Sequence, residues 1–568
     1  MFSQRGWQFP LLATCLAIVS ADTLRAEIFR LNDDEQRAVN ESIDRGVSYL
    51  KRIQNPQGFW GTQKYLVGHT AMVGLALVEC GVPPQDPSLV KAANYVRSKL
   101  EKLSNTYELS LCILFFDALN HAGGQGKQAM AFDALWIRKL AMRLIAGQKH
   151  TGGWYYGCPV LKPEEENLLA NILFQYQLAA AGKPIPPQRA VPPLLIQQAA
   201  QKWPVLLDFS RLPWVEDDNT KTDNSCTHFV ILALWRAQRH NVPLQRTMDL
   251  LVRRFRNSQN SDGGWGYRFK TGGSSPQMTA VGLMGMAVGI GLGEEADVQI
   301  EVKEKEYLPL QYAKRSWCIK TAEGIAPDQK LGSVTPEDQK RIIKGFTRLR
   351  QNIGTPAGKM RDLKMQNLYY LWALERCAVL YNLPAIGDKD WYRWAAEVLV
   401  ANQKLSGGWE GKCGYHGEEP DINTAMAIMI LKRANLATDL TRKLPFSPGE
   451  LIKEINVAVD NQPKPKPDTK PKPTPPQPQP EPTPIAKKTE NPPPPPPPLP
   501  TKPEPTPVDD VKTAKSEGGG KTILGVLLGL VALLLLGGVG AFIFITKRNG
   551  NGHGEDRPKK KRKKRSDD

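Results

Sequence analysis

One short pattern constrains this chain more than anything else in it. Gln-x-x-x-Gly-x-Trp occurs four times, at Gln54-Gly58-Trp60, Gln148-Gly152-Trp154, Gln259-Gly263-Trp265 and Gln403-Gly407-Trp409. A pattern recurring at long, uneven spacing marks an internal structural repeat. Each copy follows an amphipathic helical stretch such as Met248 to Ser258. Its glycine permits the left-handed or tight backbone that closes a helix. Its tryptophan supplies a large apolar anchor with a single N–H donor.

A second pattern follows most copies. A small polar residue opens an apolar run, and Leu-Ala-Leu or an equivalent comes five to seven residues later. Thr70, Thr227, Thr279, Thr424 and Asn367 open clear cases, and Cys112 and Asn171 open looser ones. These runs are apolar nearly all round, which predicts helices buried on both sides, while the more charged helices before them belong outside. Outer and inner helices alternating every 40 to 60 residues or so predict hairpins that close into a ring or a solenoid, with seven inner-helix candidates.

The four Gln-x-x-x-Gly-x-Trp units resemble the QW repeats of squalene–hopene cyclases and the related repeats of protein prenyltransferase β-subunits, over about residues 40 to 440. The resemblance implies an all-α fold, an α/α-toroid of six to seven hairpins with its working cavity at one mouth. The family's chemistry does not transfer residue by residue. The Asp-x-Asp-Asp acid of the cyclases is missing; the nearest stretch is Glu216-Asp217-Asp218-Asn219-Thr220. Asp-Asp-x-x-Asp is absent as well. Asp223-Asn224-Ser225-Cys226 has one residue too many for the transferases' Asp-x-Cys zinc motif, and His69-Thr70 alone is similar to their His-Thr. No cofactor and no metal site are therefore expected.

The ends of the chain add expectations of another kind. Arg5, the apolar run Leu11 to Val19 and Val19-Ser20-Ala21 read as a signal peptide, with a second cut possible at Ala26 (residues 1–26). The toroid is expected over 27–460. A stalk follows over 461–521, with 22 prolines among residues 463–507. Such a chain favours extended polyproline II over helix or sheet. Ile523 to Ile545 is an uncharged apolar run, expected as a transmembrane helix over 522–546, with a basic cytoplasmic tail over 547–568. The net charge is +18, and residues from 461 onward hold 20 Lys/Arg against 11 Asp/Glu. The remaining excess is scattered over the main domain without a basic stripe, so no nucleic-acid partner is expected. Together these features predict a single-pass protein of the cell membrane with its large domain outside the cytoplasm. Of the seven cysteines beyond the signal peptide, Cys158 and Cys413 are the candidates for a bridge.

Loops leading into inner helices gather at one mouth of a toroid, and here they are polar and acidic. The catalytic candidates are Asp223, Asp421, Glu166 and Asp218; the binding candidates are His69, His416, Glu419, Arg361 and Trp372. Carboxylates converging on a cavity serve as general acid and base or hold a cation. The competing role for Asp223 and Asp421 is capping, since acidic side chains accept from the free N–H groups that open a helix. With the family's motifs missing, the leading expectation is a membrane-tethered toroid binding a ligand or a cell-envelope partner. The alternatives are an enzyme using acidic mouth residues on a polysaccharide or peptide, and a terpenoid cyclase or prenyltransferase-like enzyme.

Overall fold

The computed structural model describes residues 31–62, 64–209, 212, 214–215, 221–292, 334–358, 363–415 and 417–461. Its elements are α1 (Asp33–Arg52), α2 (Leu66–Glu79), α3 (Pro87–Arg97), α4 (Thr106–Ala122), α5 (Lys127–Gly147), α6 (Pro163–Ala180), α7 (Pro193–Lys202), α8 (Asn224–Ala237), α9 (Gln245–Ser258), α10 (Pro276–Leu292), α11 (Pro336–Arg350), α12 (Leu368–Leu380), α13 (Trp391–Asn402), α14 (Pro420–Lys432), α15 (Thr438–Lys443) and α16 (Pro448–Asp460), with short 3-10 turns between some of them. Among the described residues there are isolated β-bridges but no sheet.

Local chemistry sets the helix ends. Asn32 and Glu35 exchange side-chain and backbone hydrogen bonds in a capping box that starts α1, and Lys51 and Arg52 complement the dipole at its other end. Asn105, Asp223, Thr335, Asn367 and Asp390 cap α4, α8, α11, α12 and α13 with side-chain oxygens. α3, α6, α7, α11, α14 and α16 open with proline at or next to the first helical position, where its missing N–H is harmless.

Packing then closes the helices into a ring. α2 lies against α4, α4 against α8, α8 against α10, α10 against α12, α12 against α14, and α14 against α2 again. These six inner helices are buried almost throughout: Ala71 to Leu77, Leu109 to Leu114, Val230 to Leu234 and Ala425 to Ile430 are all nearly inaccessible. α1, α3, α5, α9, α11 and α13 form the outer layer, each preceding its inner partner in sequence. This is an architecture of α/α-toroid type with six hairpins. The run from Asn171 does not supply a seventh. It is α6, of which only Leu169, Ile172 and Leu173 are buried, and it packs outside the ring against α5 and α9. With α7 it forms an insertion between the third outer helix and its inner partner.

The repeat pattern proves to be a set of hydrogen bonds. In each copy the tryptophan ring N–H donates to the carbonyl ten residues earlier, at 2.8 Å to Leu50, 2.6 Å to Leu144, 3.0 Å to Phe255 and 2.9 Å to Leu399. Its backbone N–H donates to the threonine hydroxyl of the following inner helix: Thr70, Thr227, Thr279 or Thr424. The glutamine amide spans its own glycine carbonyl and a carbonyl of the next outer helix, at Ser88, Thr247, Arg341 and Ser42. The glycine sits at φ between +81° and +93°, and at Gly152 a Cβ would lie 2.3 Å from the Leu250 carbonyl oxygen. No other residue meets both demands.

Several expectations are corrected here. Among the described residues no helix is long and apolar enough to cross a membrane. The stretch expected to do so, Ile523 to Ile545, lies outside the described residues, as do the signal sequence, the proline-rich stretch and the basic tail. The single-pass topology and the membrane partner are accordingly withdrawn. Cys158 and Cys413 are both buried free thiols, as are Cys112, Cys226 and Cys377. Cys158 packs against Gly147 and the Thr106 hydroxyl rather than against another sulfur.

Candidate functional site

Five of the six inner helices bring their N-terminal ends into contact at one mouth of the ring. Gly68 of α2 donates to Glu108 of α4 (3.1 Å), Tyr107 of α4 donates to Ser225 of α8 (2.8 Å), and His228 of α8 meets the Tyr369 hydroxyl of α12 (3.1 Å). The circuit closes where His69 on α2 meets Asp421 on α14.

That closure is the candidate site. His69 lies in the first turn of α2, after Tyr65 in the left-handed conformation. Asp421 lies in the first turn of α14, where Pro420 starts the helix and Glu419 precedes it. Negative charge on Glu419 and Asp421 is favoured there by the dipole of α14. The His69 Nδ1 is 2.7 Å from Asp421 Oδ2, and its Nε2 is 3.9 Å from Glu419 Oε1. A carboxylate only accepts, so Nδ1 carries the proton and Nε2 is left available in the neutral ring. Thr62 donates to the other Glu419 oxygen at 3.2 Å. Gly61, at φ +96°, lets the backbone approach the imidazole; a Cβ there would stand 3.0 Å from His69 Cγ.

Electrostatics separates this histidine from its neighbours. His69 is 9% exposed and Asp421 4%. Burial works against a charged imidazole, but the hydrogen bond to Asp421 and the charges of Asp421, Glu419 and Glu108 outweigh it and raise the His69 pKa. Glu108 is raised in turn, by burial against the pull of the Gly68 N–H and of His69. His228 shows the opposite case. Burial, with the Arg376 charge, depresses it to about 3, so it stays a neutral packing group between Phe229, Tyr369 and Trp372.

The other candidates are placed elsewhere. Asp223 caps α8, accepting from the Cys226 N–H at 2.5 Å, and burial raises its pKa. Glu166 lies on α6 outside the ring, facing Lys139, Arg143 and Arg138. Trp372 is fully buried and stacked on Phe229 at 5.0 Å. Asp218, His416 and Arg361 lie outside the described residues. Glu108, Tyr107, Tyr369 and Tyr415 belong to the mouth and carried no signal in the sequence beyond standing near the start of an inner helix or in the loop before one.

As to a cation, ligand atoms of His69, Glu419 and Asp421 lie within 4.8 Å of one another. One imidazole and two carboxylates suit a divalent ion of the zinc or manganese kind.

No protein-family model matches the chain, and no curated protein matches it. Among solved structures it is similar to two variants of the type II terpene cyclase MstE from Scytonema. One is bound to its product merosterolic acid A (12% identity, TM-score 0.35, 72% of this chain and 100% of that one). The other is bound to its substrate geranylgeranyl dihydroxybenzoate (12% identity, TM-score 0.34, 72% and 99%). A similarity this loose bears on no residue of the mouth.

The expectation of a membrane-displayed ring that merely binds a partner is therefore corrected on two findings. No described helix suits a membrane, and the mouth holds a buried His/Glu/Asp cluster of the kind that moves protons or holds metal.

Proposed function

We propose that the chain is an enzyme that works by acid–base chemistry at the mouth of the ring, on a polysaccharide or a peptide. The observation that carries this reading is His69 held between Asp421 at 2.7 Å and Glu419 at 3.9 Å, almost wholly shielded from solvent. Asp421 fixes the tautomer and the orientation of the ring. Nε2 takes a proton from an attacking water and afterwards returns it to the leaving oxygen or nitrogen. The imidazolium formed in between is stabilised by Asp421, Glu419 and Glu108, a preorganised set of charges in a site with little water.

The test uses purified chain against a panel of soluble polysaccharides and peptides. His69→Ala is expected to lower turnover by roughly 10²–10⁴-fold, the usual contribution of a general acid–base group, in a protein that still unfolds in one cooperative thermal transition. Turnover that survives this substitution would sink the reading.

A second reading is favoured by the clustering of three ligand atoms. His69, Glu419 and Asp421 would then hold a divalent cation, and that ion would supply Lewis acidity and lower the pKa of water at the mouth. Chelation decides between the two. Activity abolished by chelator and restored by Zn²⁺ or Mn²⁺ selects the metal mode, whereas indifference to chelator leaves His69 as the proton-transfer group.

A further inference from the structure

Tyrosines line this mouth from its rim to the His69 site. Tyr155, Tyr156 and Tyr267 stand at the rim with 37%, 43% and 44% of their surface open, unusual for three large rings in contact. Tyr155 and Tyr156 meet edge to face at 4.7 Å, and the hydroxyls of Tyr156 and Tyr267 are 3.3 Å apart. Tyr156 leads inward to the half-buried Tyr107, with ring centroids 6.1 Å apart. Ser225 bonds the Tyr107 hydroxyl and also interacts with Tyr369. Tyr369 is followed by Tyr415 at 6.4 Å, whose hydroxyl donates to Asn423 at 2.7 Å, two residues from Asp421. Tyr107 is adjacent to Glu108, the carboxylate that acts on His69. The row thus reaches both sides of the site.

We propose that this tyrosine row is the binding track for a neutral polysaccharide, the substrate class of the acid–base site on which this inference rests. The flat rings at the rim, with open faces and polar edges, suit a sugar, which offers C–H faces to stack and hydroxyls at its rim to hydrogen-bond. An extended peptide would need main-chain partners, and several main-chain groups of the rim are already engaged. The carbonyl of Tyr156 accepts from Thr106, that of Trp154 from Asp223, and that of Tyr267 from Asn224, while the Cys158 N–H donates to Ser104. The contacts between rings hold the phenols in place, so little side-chain entropy remains to be lost on binding.

The experiment measures binding apart from turnover, on the full chain, by affinity electrophoresis and calorimetry. The probes are a soluble β-linked glucan, a xylan and a mannan, with poly-L-proline as the peptide that aromatic tracks also accept. At least one glycan is expected to bind wild type and His69→Ala equally. Tyr156→Ala and Tyr267→Ala should each weaken binding about tenfold, the scale of one lost stacking contact. Tyr267→Phe, which keeps the ring, serves as the control for folding and should bind nearly as wild type. Binding of poly-L-proline with none of the glycans, or glycan binding untouched by both alanine variants, overturns the proposal. A glycan that is bound but not cleaved, with no loss in His69→Ala, overturns the acid–base reading and leaves the track standing.

Discussion

At the scale of single residues, two histidines on inner helices of the same ring have been driven in opposite directions, and this gives each a pH signature. His69 has its pKa raised by Asp421 and the nearby carboxylates against the effect of burial. As a general base it works only when neutral, so kcat/KM should fall on acidification with a midpoint above the ordinary histidine value of about 6.5. Asp421→Asn removes the main support of the imidazolium, so the midpoint should move down by a readily measured amount; an unmoved midpoint would show that another group titrates. The same shift makes folding stability from His69 complete below about pH 6.5 and lost as pH rises through the raised value. His228 has the reverse sign. Burial holds it at about 3, so the unfolded chain binds its proton first, and stability from this group is full above about pH 6.5 and drains away towards pH 3. Replacing His228 by Phe should flatten the acid limb of a plot of unfolding free energy against pH. Sequence alone named His69, Glu419 and Asp421 one by one as polar residues of loops entering inner helices. Their meeting was not legible, because His69 and Asp421 are 352 positions apart and only the closing of the ring joins them. Glu108 was missed for the same reason: its role comes from Gly68 and His69 on another helix.

At the scale of the element, the repeat was legible because every named position in it has a partner of its own. Gln148, fully buried, joins the Gly152 carbonyl at 3.1 Å to the Thr247 carbonyl at 2.9 Å, and so ties one hairpin to the next outer helix across the α6–α7 insertion. Gln148→Met keeps the volume and strands two buried carbonyls, which should cost about 1–3 kcal/mol. Trp265→Ala removes a fully buried ring and should cost about 3–5 kcal/mol. Chemical unfolding would read both; a cost below about 0.5 kcal/mol for Gln148→Met would mean that this tie is idle. Two of the six hairpins carry no such repeat, and their loops are held by unrelated means. Arg143 from α5 donates to the carbonyls of Leu100, Glu101 and Leu103, whereas Glu397 from α13 accepts from the N–H groups of Ala357 and Gly358. The rule is shared, that each loop is fastened to the next outer helix, but an arginine or a glutamate in a helix gives no sign of it. Counting apolar runs erred by one for a related reason. The run from Asn171 has the composition of an inner helix, yet α6 has only one side to bury, and the ring is already full without it.

At the scale of the whole molecule, the ring must be closed by its two ends, and that closure has a mechanical consequence. α1 lies against α14 and α13, helices far from it in sequence. Arg393 grips Glu35 at 2.6 and 2.7 Å, Gln403 donates to the Ser42 carbonyl at 2.8 Å, and Arg52 donates to the Ser406 carbonyl at 2.6 Å. Gly46 fits so closely that a Cβ would fall 2.5 Å from Ile428. In an open solenoid a terminal hairpin contacts one neighbour, and its loss removes one interface. In a closed ring every hairpin has two neighbours, so removing α1 strips the apolar cover from α14 and unfastens the Gln403 loop together. Deleting residues 1–52 should therefore abolish the cooperative thermal transition and drive the chain to aggregate. The counterpart is a cut in the exposed turn at Gly182 and Lys183, after α6, where the backbone reverses in the left-handed region outside the ring. The two fragments should stay together on size exclusion and melt within a few degrees of the intact chain, because no interface of the ring is touched. A truncated chain that melts sharply would show the hairpins to be additive, as in a solenoid.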